Sequence, residues 1–273
     1  MQSGRSCRWA PLQTTSLRGV ANRFVVNLVL FETTETESPL PRADARAVHV
    51  LEVLRRREGD SFDVGRVNGP RGKAILRRIA AGHLELEFNW GATLPPRVPL
   101  TLMIGLPRPQ TARKILMEAA TLGVSTLHFV ATERSDPNYA ASTLWSSGEW
   151  RRHLLAGAAQ AFDTRIPEVT WTRSLQELAG PKATRSLPLE NGSSPLLLAL
   201  DNYEAGMRLG QVEIDPGRPV CLALGPERGW GASDRDTLRA HGFSLVHLGE
   251  PVLRAETAMV VALGIIAAQQ GRM

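Results

Sequence analysis

The sequence predicts an α/β protein in which a parallel sheet follows a small antiparallel β-barrel. Short segments of alternating polar and apolar residues occupy the first 90 residues, and apolar strands alternate with amphipathic helices after about residue 99. The first pattern is typical of small barrels and the second of parallel α/β layers. The chain has 273 residues, 43% of them apolar and 22% charged. It is therefore long enough for two domains, and disordered, collagen-like and disulfide-scaffold proteins are excluded.

The chain starts with residues 1–22, which contain arginine, serine and threonine but no acid. We expect a disordered extension or a misassigned start there rather than a transit peptide. The first domain then spans residues 23–92. Its predicted elements, in chain order, are a strand at 23–30, a loop at 32–41, a helix at 43–57 and strands at 62–67, 74–79 and 84–88.

Residues 93–98 form the predicted linker, because consecutive prolines break both helix and sheet. The second domain spans residues 99–273. Its short apolar runs predict buried parallel strands, its amphipathic stretches predict helices, and its last apolar stretch predicts a closing helix. The predicted strands are 100–106, 124–131, 196–200, 220–224 and 244–248, and the predicted helices are 111–122, 149–162, 234–241 and 256–270.

Charge and cysteine content narrow the function classes. The first 90 residues carry 14 basic and 10 acidic side chains, and the rest carries 18 and 17, so the net charge of +5 lies mostly in the first third of the chain. This distribution fits an RNA-binding module beside a catalytic one, although arginine bias can also reflect genome composition. Cys7 and Cys221 lie far apart and the six histidines are scattered, which argues against a metal site. No apolar stretch approaches the roughly 20 residues of a membrane span, so we expect a cytoplasmic protein.

Three predicted strands end in loops of unusual chemistry. The first loop is Leu200–Asn202, the second is Gly225–Gly231 and the third is Leu248–Ala258. Ligands of parallel sheets bind beyond the carboxyl ends of strands. Glycines there permit close backbone approach and proline holds a loop rigid, so the three loops can clamp a flat heterocycle such as adenine. Any one of them is also compatible with an ordinary strand-to-helix turn.

Common nucleotide motifs are absent. No G-x-G-x-x-G follows the first strand of the second domain, and no G-x-x-x-x-G-K-[ST] occurs. These absences argue against the usual dinucleotide or methyltransferase Rossmann site and against a P-loop. Ser, His and Asp show no nucleophile-elbow pattern either.

The sequence Leu-Gly-Pro-Glu-Arg-Gly-Trp at 224–230, followed by Leu-Gly-Glu-Pro-Val-Leu-Arg-Ala-Glu-Thr-Ala at 248–258, resembles the uracil-N3-methyltransferases of ribosomal small-subunit RNA. These enzymes belong to the trefoil-knotted (SPOUT) class. The paired motifs are specific, and weaker matches follow the family's order over nearly the whole chain after residue 22. The weaker matches are 23–25, 49–55, 122–124, 132–135, Gln160 and 165–167.

The resemblance implies a PUA-like barrel in front and a knotted α/β domain behind. It also implies a homodimer that acts on small-subunit (16S) ribosomal RNA or the assembled small subunit and uses S-adenosylmethionine, without metal or membrane. The implied cofactor-binding residues are Leu200, Asp201, Gly225, Pro226, Glu227, Gly229, Leu248, Gly249, Val252, Leu253, Arg254, Thr257 and Ala258.

The chain departs from the family pattern at four places. Arg228 replaces the second glycine of Gly-Pro-Glu-Gly-Gly, and Pro251 stands where an arginine is usual. Thr121 stands where a glutamate is usual, and Phe162-Asp163 replaces a Gly-Arg pair. The cofactor loops are thus mostly kept, whereas groups expected near the RNA are altered.

Methylation of uracil N3 requires loss of its proton, and a guanidinium can stabilise the resulting anion. Arg254 is the predicted catalytic guanidinium; its alternative is a salt bridge to Glu256. Glu227 either holds its loop through backbone amides, which we favour, or helps to take the proton. Trp230 either stacks on a base or lies in a core or interface. The predicted RNA contacts are Arg23, Arg55, Arg134 and Arg165.

Two other functions are also compatible with the sequence. The departures at Pro251 and Asp163 are compatible with an RNA-binding protein of the same fold that has lost catalysis. A knotted methyltransferase that acts on another RNA, such as transfer RNA, also fits the sequence. Binding of S-adenosylmethionine without methyl transfer would favour the RNA-binding protein. The position of the modified base would distinguish a methyltransferase of another RNA from one of ribosomal RNA.

Overall fold

A computed structural model describes residues 28–172, 174–179 and 194–273. In its first part, a five-stranded sheet has the order β1-β3-β4-β5-β2. β3, β4 and β5 pair antiparallel, as predicted, whereas β1 and β3 are parallel, so the sheet as a whole is mixed. The intervening segment, which includes a helix, is long enough to allow a parallel return. The strands are β1 (Val29–Phe31), β2 (Leu40–Pro41), β3 (Ser61–Arg66), β4 (Arg71–Ile79) and β5 (His83–Trp90).

The helix predicted at 43–57 is shorter. α1 spans Ala45–Val48 and continues as a π-helical turn over His49–Val53. Arg55 follows with φ of +52°, a left-handed conformation that ends the helix. Ala47 and Val50 are fully buried in the core of the front sheet.

The second part contains the predicted parallel sheet, which is confirmed and has seven strands in the order β10-β12-β9-β11-β6-β7-β8. The strands are β6 (Leu100–Gly105), β7 (Thr126–Val130), β8 (Glu168–Thr172), β9 (Leu196–Leu200), β10 (Met207–Arg208), β11 (Val220–Leu224) and β12 (Ser244–His247). The helices are α2 (Pro109–Thr121), α3 (Thr143–Ser146), α4 (Glu149–Gln160), α5 (Leu175–Ala179), α6 (Ala232–Ala240) and α7 (Ala255–Gln269).

Central strands are buried on both faces because helices cover both. Along β11, Val220, Leu222 and Leu224 pack into one core, which includes residues of α2, α4 and α7. Cys221 and Ala223 point the other way, into a core that includes residues of α5 and α6. Burial raises the pKa of the Cys221 thiol to about 12, so this cysteine stays protonated at neutral pH.

Five elements escaped the sequence analysis: β2, α3, α5 and the two outermost strands of the parallel sheet, β8 and β10. Each of these two outermost strands, β8 and β10, has only one neighbouring strand. β8 reads Glu-Val-Thr-Trp-Thr and has no buried residue, and β10 is two exposed residues long. Edge strands lack the apolar run that marks a central parallel strand, so composition gives a weak signal there.

The two sheets are joined by the turn after α4. Asp163 is 3% exposed, and its carboxylate binds Arg97 at 2.6 Å and Nε of Arg165 at 3.1 Å. Arg165 also donates to the carbonyl of Pro95 at 2.7 Å, and Thr164 donates to the carbonyl of Gly69 at 2.6 Å. Residues 162–166, which we call the junction turn, thus connect α4 of the parallel-sheet part to residues 95–97 and to the turn between β3 and β4.

Burial of Asp163 acts to raise its pKa, but hydrogen bonds from Arg165 and the charge of Arg97 outweigh this effect and leave the pKa below its ordinary value. Gly123 makes room for one of these arginines. A Cβ there would lie 2.4 Å from a guanidinium nitrogen of Arg97. Gly123 also has φ of +74° and ends α2, as predicted from the sequence.

Candidate active site

The three predicted loops meet at one edge of the parallel sheet. β12, β9 and β11 are consecutive neighbours, and Leu200 pairs in register with Leu224 on one side and Val246 on the other. The loops that follow these parallel strands therefore leave from the same edge. They surround a cavity of about 160 Å³, which we call the first cavity. Its lining residues are Leu200, Asp201, Asn202, Tyr203, Leu224, Gly225, Pro226, Glu227, Arg228, Gly229, Trp230, Leu248, Pro251, Val252, Leu253 and Ala258.

The carboxylate of Asp201 holds the first loop in shape. Its Oδ1 accepts from the backbone N–H groups of Tyr203 at 2.9 Å and Glu204 at 2.6 Å, and its Oδ2 accepts from Nε of Arg235 at 2.8 Å. Both side chains of the Asp201–Arg235 pair are almost fully buried, so each charge compensates the other. Asp201 therefore shapes the cavity wall, and its carboxylate is already bonded to Tyr203, Glu204 and Arg235.

The second loop packs tightly against the end of β6. A Cβ at Gly105 would lie 2.5 Å from Cδ of Pro226, and a Cβ at Gly225 would lie 3.0 Å from the carbonyl carbon of Gly229. Gly229 has φ of +69°, and its N–H donates to the carbonyl of Pro226 at 2.7 Å to close the turn. The backbone of this loop is therefore presented directly to the cavity.

Trp230 joins the first two loops. Its side chain is fully buried, and its indole N–H donates to the carbonyl of Leu200 at 2.9 Å. Of the two roles open from the sequence, the structure selects the core tryptophan. This bond fixes the spacing between the ends of β9 and β11.

The third loop closes the cavity with apolar side chains. Gly249 has φ of +124°, and its N–H donates to Nδ1 of His247 at 3.1 Å. Val252 lines the cavity although its side chain is 82% exposed. An apolar group left open at a cavity wall gains most from a ligand that covers it.

Arg254 is the N-cap residue of α7, and its carbonyl accepts from the N–H of Ala258 at 2.8 Å. Its guanidinium is exposed and makes no hydrogen bond or ion pair with another described residue. The alternative of a salt bridge to Glu256 is wrong, since that carboxylate binds Nζ of Lys114 at 3.0 Å. Thr257 is exposed in the first turn of the same helix.

Ten of the thirteen residues predicted to bind cofactor line the first cavity. The other three, Gly249, Arg254 and Thr257, belong to the third loop and do not line the cavity.

A second cavity, of about 270 Å³, adjoins the first through residues 226–228, which line both. Oε1 of Glu227 accepts from the backbone N–H of Arg108 at 3.0 Å, which agrees with the favoured loop-holding role. The guanidinium of Arg134 donates to the carbonyl of Arg228 at 2.9 Å. The lining residues are Leu106, Arg108, Glu133, Arg134, Ser135, Asp136, Tyr139, Pro226, Glu227 and Arg228.

The four arginines predicted to contact RNA have different surroundings. Arg23 lies outside the described residues. Arg55 is exposed beyond the π-helical turn and has no partner among the described side chains. Arg134 is exposed at the second cavity, whereas Arg165 is engaged with Asp163 in the junction turn.

Asp234, which the sequence analysis missed, braces the second loop. It is buried in the first turn of α6, and its carboxylate accepts from the N–H groups of Gly231 at 2.9 Å and Glu133 at 3.2 Å. The signal was available, because an acid three residues after a glycine N-cap is a capping pattern. Arg108 and Tyr203 gave no such signal, since only the tertiary structure brings them to the cavities.

Among residues 28–172, 174–179 and 194–273, no three His, Cys, Asp or Glu side chains are grouped as metal ligands. No helix in that part of the chain is both long and apolar enough to cross a membrane.

An all-parallel sheet with a cavity at its carboxyl edge defines an α/β protein with a ligand site beyond the strand ends. Residues 94–267 match the family model of the RNA methyltransferase domain. The chain is 32% identical to the ribosomal RNA small subunit methyltransferase E of Treponema pallidum over 251 residues, which cover 89% of this chain and 91% of the relative. The chain therefore belongs to the family of ribosomal RNA small subunit methyltransferase E, as its loop motifs predict.

Solved structures agree with this fold. A ribosomal RNA small subunit methyltransferase E from Neisseria gonorrhoeae, bound to S-adenosyl methionine, superposes with a TM-score of 0.69 at 22% identity, covering 88% of this chain and 97% of the other. A probable rRNA-methyltransferase from Porphyromonas gingivalis gives a TM-score of 0.71 at 21% identity, covering 89% and 99%.

Proposed function

We propose that this protein methylates N3 of a uridine in small-subunit (16S) ribosomal RNA, with S-adenosylmethionine as methyl donor. The single observation that carries the proposal is the convergence of the loops after β9, β11 and β12 on one cavity. Membership in the methyltransferase family and the names of the relatives support the reaction class and the RNA.

The first cavity suits the methyl donor. Gly225 and Gly229, which carry no side chain, line the cavity, and Leu248, Val252 and Leu253 supply apolar surface. This combination fits an adenine ring and its ribose better than it fits a charged phosphate chain, in agreement with the missing phosphate-binding glycine motifs. When bound, the donor supplies a methyl group activated by a sulfonium charge.

The residues of the chain then have to make uracil N3 nucleophilic. We propose that Arg254, exposed and unpaired among the described residues, stabilises negative charge on the uracil oxygens as the N3 proton leaves. Glu227 holds the second loop through the N–H of Arg108, and its remaining carboxylate oxygen receives the proton and passes it to water. Alignment of the acceptor with the methyl group supplies much of the remaining acceleration.

Beyond the site, we propose that the front sheet is a PUA-like RNA-binding domain of residues 23–92 and that residues 99–273 form a trefoil-knotted domain. The extension expected at residues 1–22 lies outside the described residues. Two bonds support threading of the C-terminal segment past the β9–β11 connection. Gln269 donates to the carbonyl of Gly210 at 3.3 Å, and Gln270 to that of Arg218 at 2.8 Å.

We further propose a homodimer that works in the cytoplasm on ribosomal RNA or the assembled small subunit. α7 has no charged side chain after Glu256, yet its Val261 is 39% exposed. Met117 of the adjacent α2 is 38% exposed. A helix that is apolar on all sides is normally buried, and a second copy of the chain would cover it. Light scattering on the purified protein tests this proposal.

The function is tested with small subunits and naked small-subunit RNA from a strain that lacks this protein. Radiolabelled donor and mass spectrometry of RNA fragments should show one N3-methylated uridine. Calorimetry should show donor binding by the unmodified protein and at least about a 100-fold loss with Gly225→Val, because a side chain there meets the backbone of Gly229. Donor binding without transfer to any RNA would instead favour an RNA-binding protein, and methylation of transfer RNA alone would refute the ribosomal substrate.

A further inference from the structure

The second cavity has an imbalance of hydrogen-bonding capacity that the family motifs do not explain. Three arginines line it, Arg108, Arg134 and Arg228, together with three acids, Glu133, Asp136 and Glu227. Formal charges cancel, but hydrogen-bonding capacity does not.

Each of the three carboxylates already accepts from a backbone N–H. Glu227 accepts from Arg108 at 3.0 Å, Asp136 from Asn138 at 2.9 Å, and Glu133 from Ser233 at 3.3 Å. Each carboxylate in this cavity therefore gives part of its acceptor capacity to holding a loop.

The guanidinium groups are much less occupied. Arg134 donates one N–H to the carbonyl of Arg228, while the side chains of Arg108 and Arg228 bond to no other described residue. A guanidinium has five donors, so the cavity offers donors in excess of acceptors. It is suited to a group rich in acceptor oxygens that carries or develops negative charge.

Arg228 occupies a special place among the three. It alone of the arginines lines both cavities, on the wall that separates them. Its backbone is fixed by the bond from Arg134 and by the turn between Pro226 and Gly229, so the side chain starts from a rigid point.

We propose that the second cavity receives the acceptor uracil and that Arg228 is a further catalytic residue, donating hydrogen bonds to a carbonyl oxygen of that base. The assignment rests on the proposed function. As the N3 proton leaves for Glu227 and then water, negative charge spreads to the uracil oxygens, and the guanidinium stabilises it. The N3 lone pair forms the new N–C bond while the S–C bond of the donor breaks and its electron pair stays on sulfur. Arg228 thus supplies a guanidinium from the second loop in a chain whose third loop has Pro251 where the family usually has arginine.

The test compares Arg228→Ala, Arg228→Lys and Arg228→Gly in single-turnover methylation of saturating small-subunit RNA across a range of pH. Arg152→Ala is the matched control, because this exposed arginine on α4 lines neither cavity. We expect Arg228→Ala and Arg228→Gly to slow transfer by about 100-fold at neutral pH. Lysine should restore part of the rate, since it keeps the charge but not the planar donor pair. The deficit should narrow as pH rises, because the uracil then ionises without assistance.

Donor affinity by calorimetry and RNA affinity by filter binding should change less than about threefold in these variants. A rate for Arg228→Ala within threefold of the unmodified protein at every pH would overturn the assignment. So would a pH-independent loss matched by an equal loss of RNA affinity, which would make Arg228 a phosphate contact. Absence of transfer by the unmodified protein would refute the proposed function itself, and that arm is run first.

Discussion

Two pairs of arginines have opposite roles although they are the same residue type. Arg97 and Arg165 bind Asp163 of the junction turn, whereas Arg228 of the second loop and Arg254 of the third loop, which we call the rim arginines, have no such partner among the described residues. At the junction, Arg97 and Arg165 are paired with the buried carboxylate of Asp163. At the rim, Arg228 and Arg254 present guanidinium groups that bond to no other described residue. The first pair holds two sheets in a fixed relation, and the second is available for a ligand.

The difference comes from the carboxylates. Asp163 accepts from the backbone N–H groups of Thr164 and Arg165 and also binds the guanidiniums of Arg97 and Arg165, so their charge is compensated within the fold. Glu227 accepts from the backbone N–H of Arg108 and bonds to no guanidinium among the described residues, which leaves nearby guanidiniums with spare donors. An arginine is thus a candidate for chemistry only when the structure denies it an internal acceptor.

The largest expected effect is at the rim. Arg254→Ala should lower the methylation rate by at least about 100-fold, because the anion of the acceptor base loses a guanidinium. The free energy of unfolding should stay within about 0.5 kcal/mol of the unmodified protein, since the side chain has no partner among the described residues to lose. Methyl transfer and urea unfolding measure the two quantities. Unimpaired turnover in this variant would remove Arg254 from the mechanism and weaken the contrast with the junction.

At the junction, stability should suffer instead. Asp163→Asn keeps the shape but leaves Arg97 and Arg165 without a charged acceptor, and we expect a loss of about 2–3 kcal/mol in the free energy of unfolding. The value lies below that for a fully buried pair because both guanidiniums are roughly one-third exposed. Donor affinity of the folded protein should be unchanged in calorimetry. A variant as stable as the parent would show that the junction pairing contributes nothing net.

The same carboxylate predicts an acid dependence. The pKa of Asp163 is lowered in the folded state, so its contribution to stability is complete above its ordinary pKa and is lost as pH falls through the folded-state pKa. The stability difference between the parent and Asp163→Asn should therefore be constant near neutrality and shrink below about pH 4. Urea unfolding at several pH values measures it, and a difference that grows on acidification would contradict the ion-pair account.

The smallest effect concerns RNA affinity. Arg55→Ala should weaken binding a few-fold and reduce the slope of log affinity against log salt by about 1, as loss of one phosphate contact does. Arg165→Ala should leave the slope unchanged, because its guanidinium is bonded to Asp163 and Pro95. Filter binding at several salt concentrations separates the two. Equal slope changes would return Arg165 to the set of RNA contacts.

The sequence pattern predicted α2 and α7 to within two residues, because the apolar face of α2 and the nearly uniform apolar composition of α7 both indicate helices packed on a core. It failed at β8, a half-exposed edge strand, and at α1, where a π-helical turn precedes the left-handed Arg55. Such features depend on neighbours distant in sequence or on a single backbone angle. Ten of the thirteen loop residues named from the sequence line one cavity, because glycine and proline mark backbone geometry directly.

By itself, the sequence determined which strands are central, where the glycine-rich loops lie and which family the chain joins, since these depend on local pattern and composition. Only the tertiary structure decided that Trp230 is a core residue, that Arg165 is neutralised, and that Arg228 stands between two cavities. The physical reason is that a side chain's charge is encoded locally, whereas its available hydrogen-bonding capacity depends on whichever acceptors folding brings within about 3 Å.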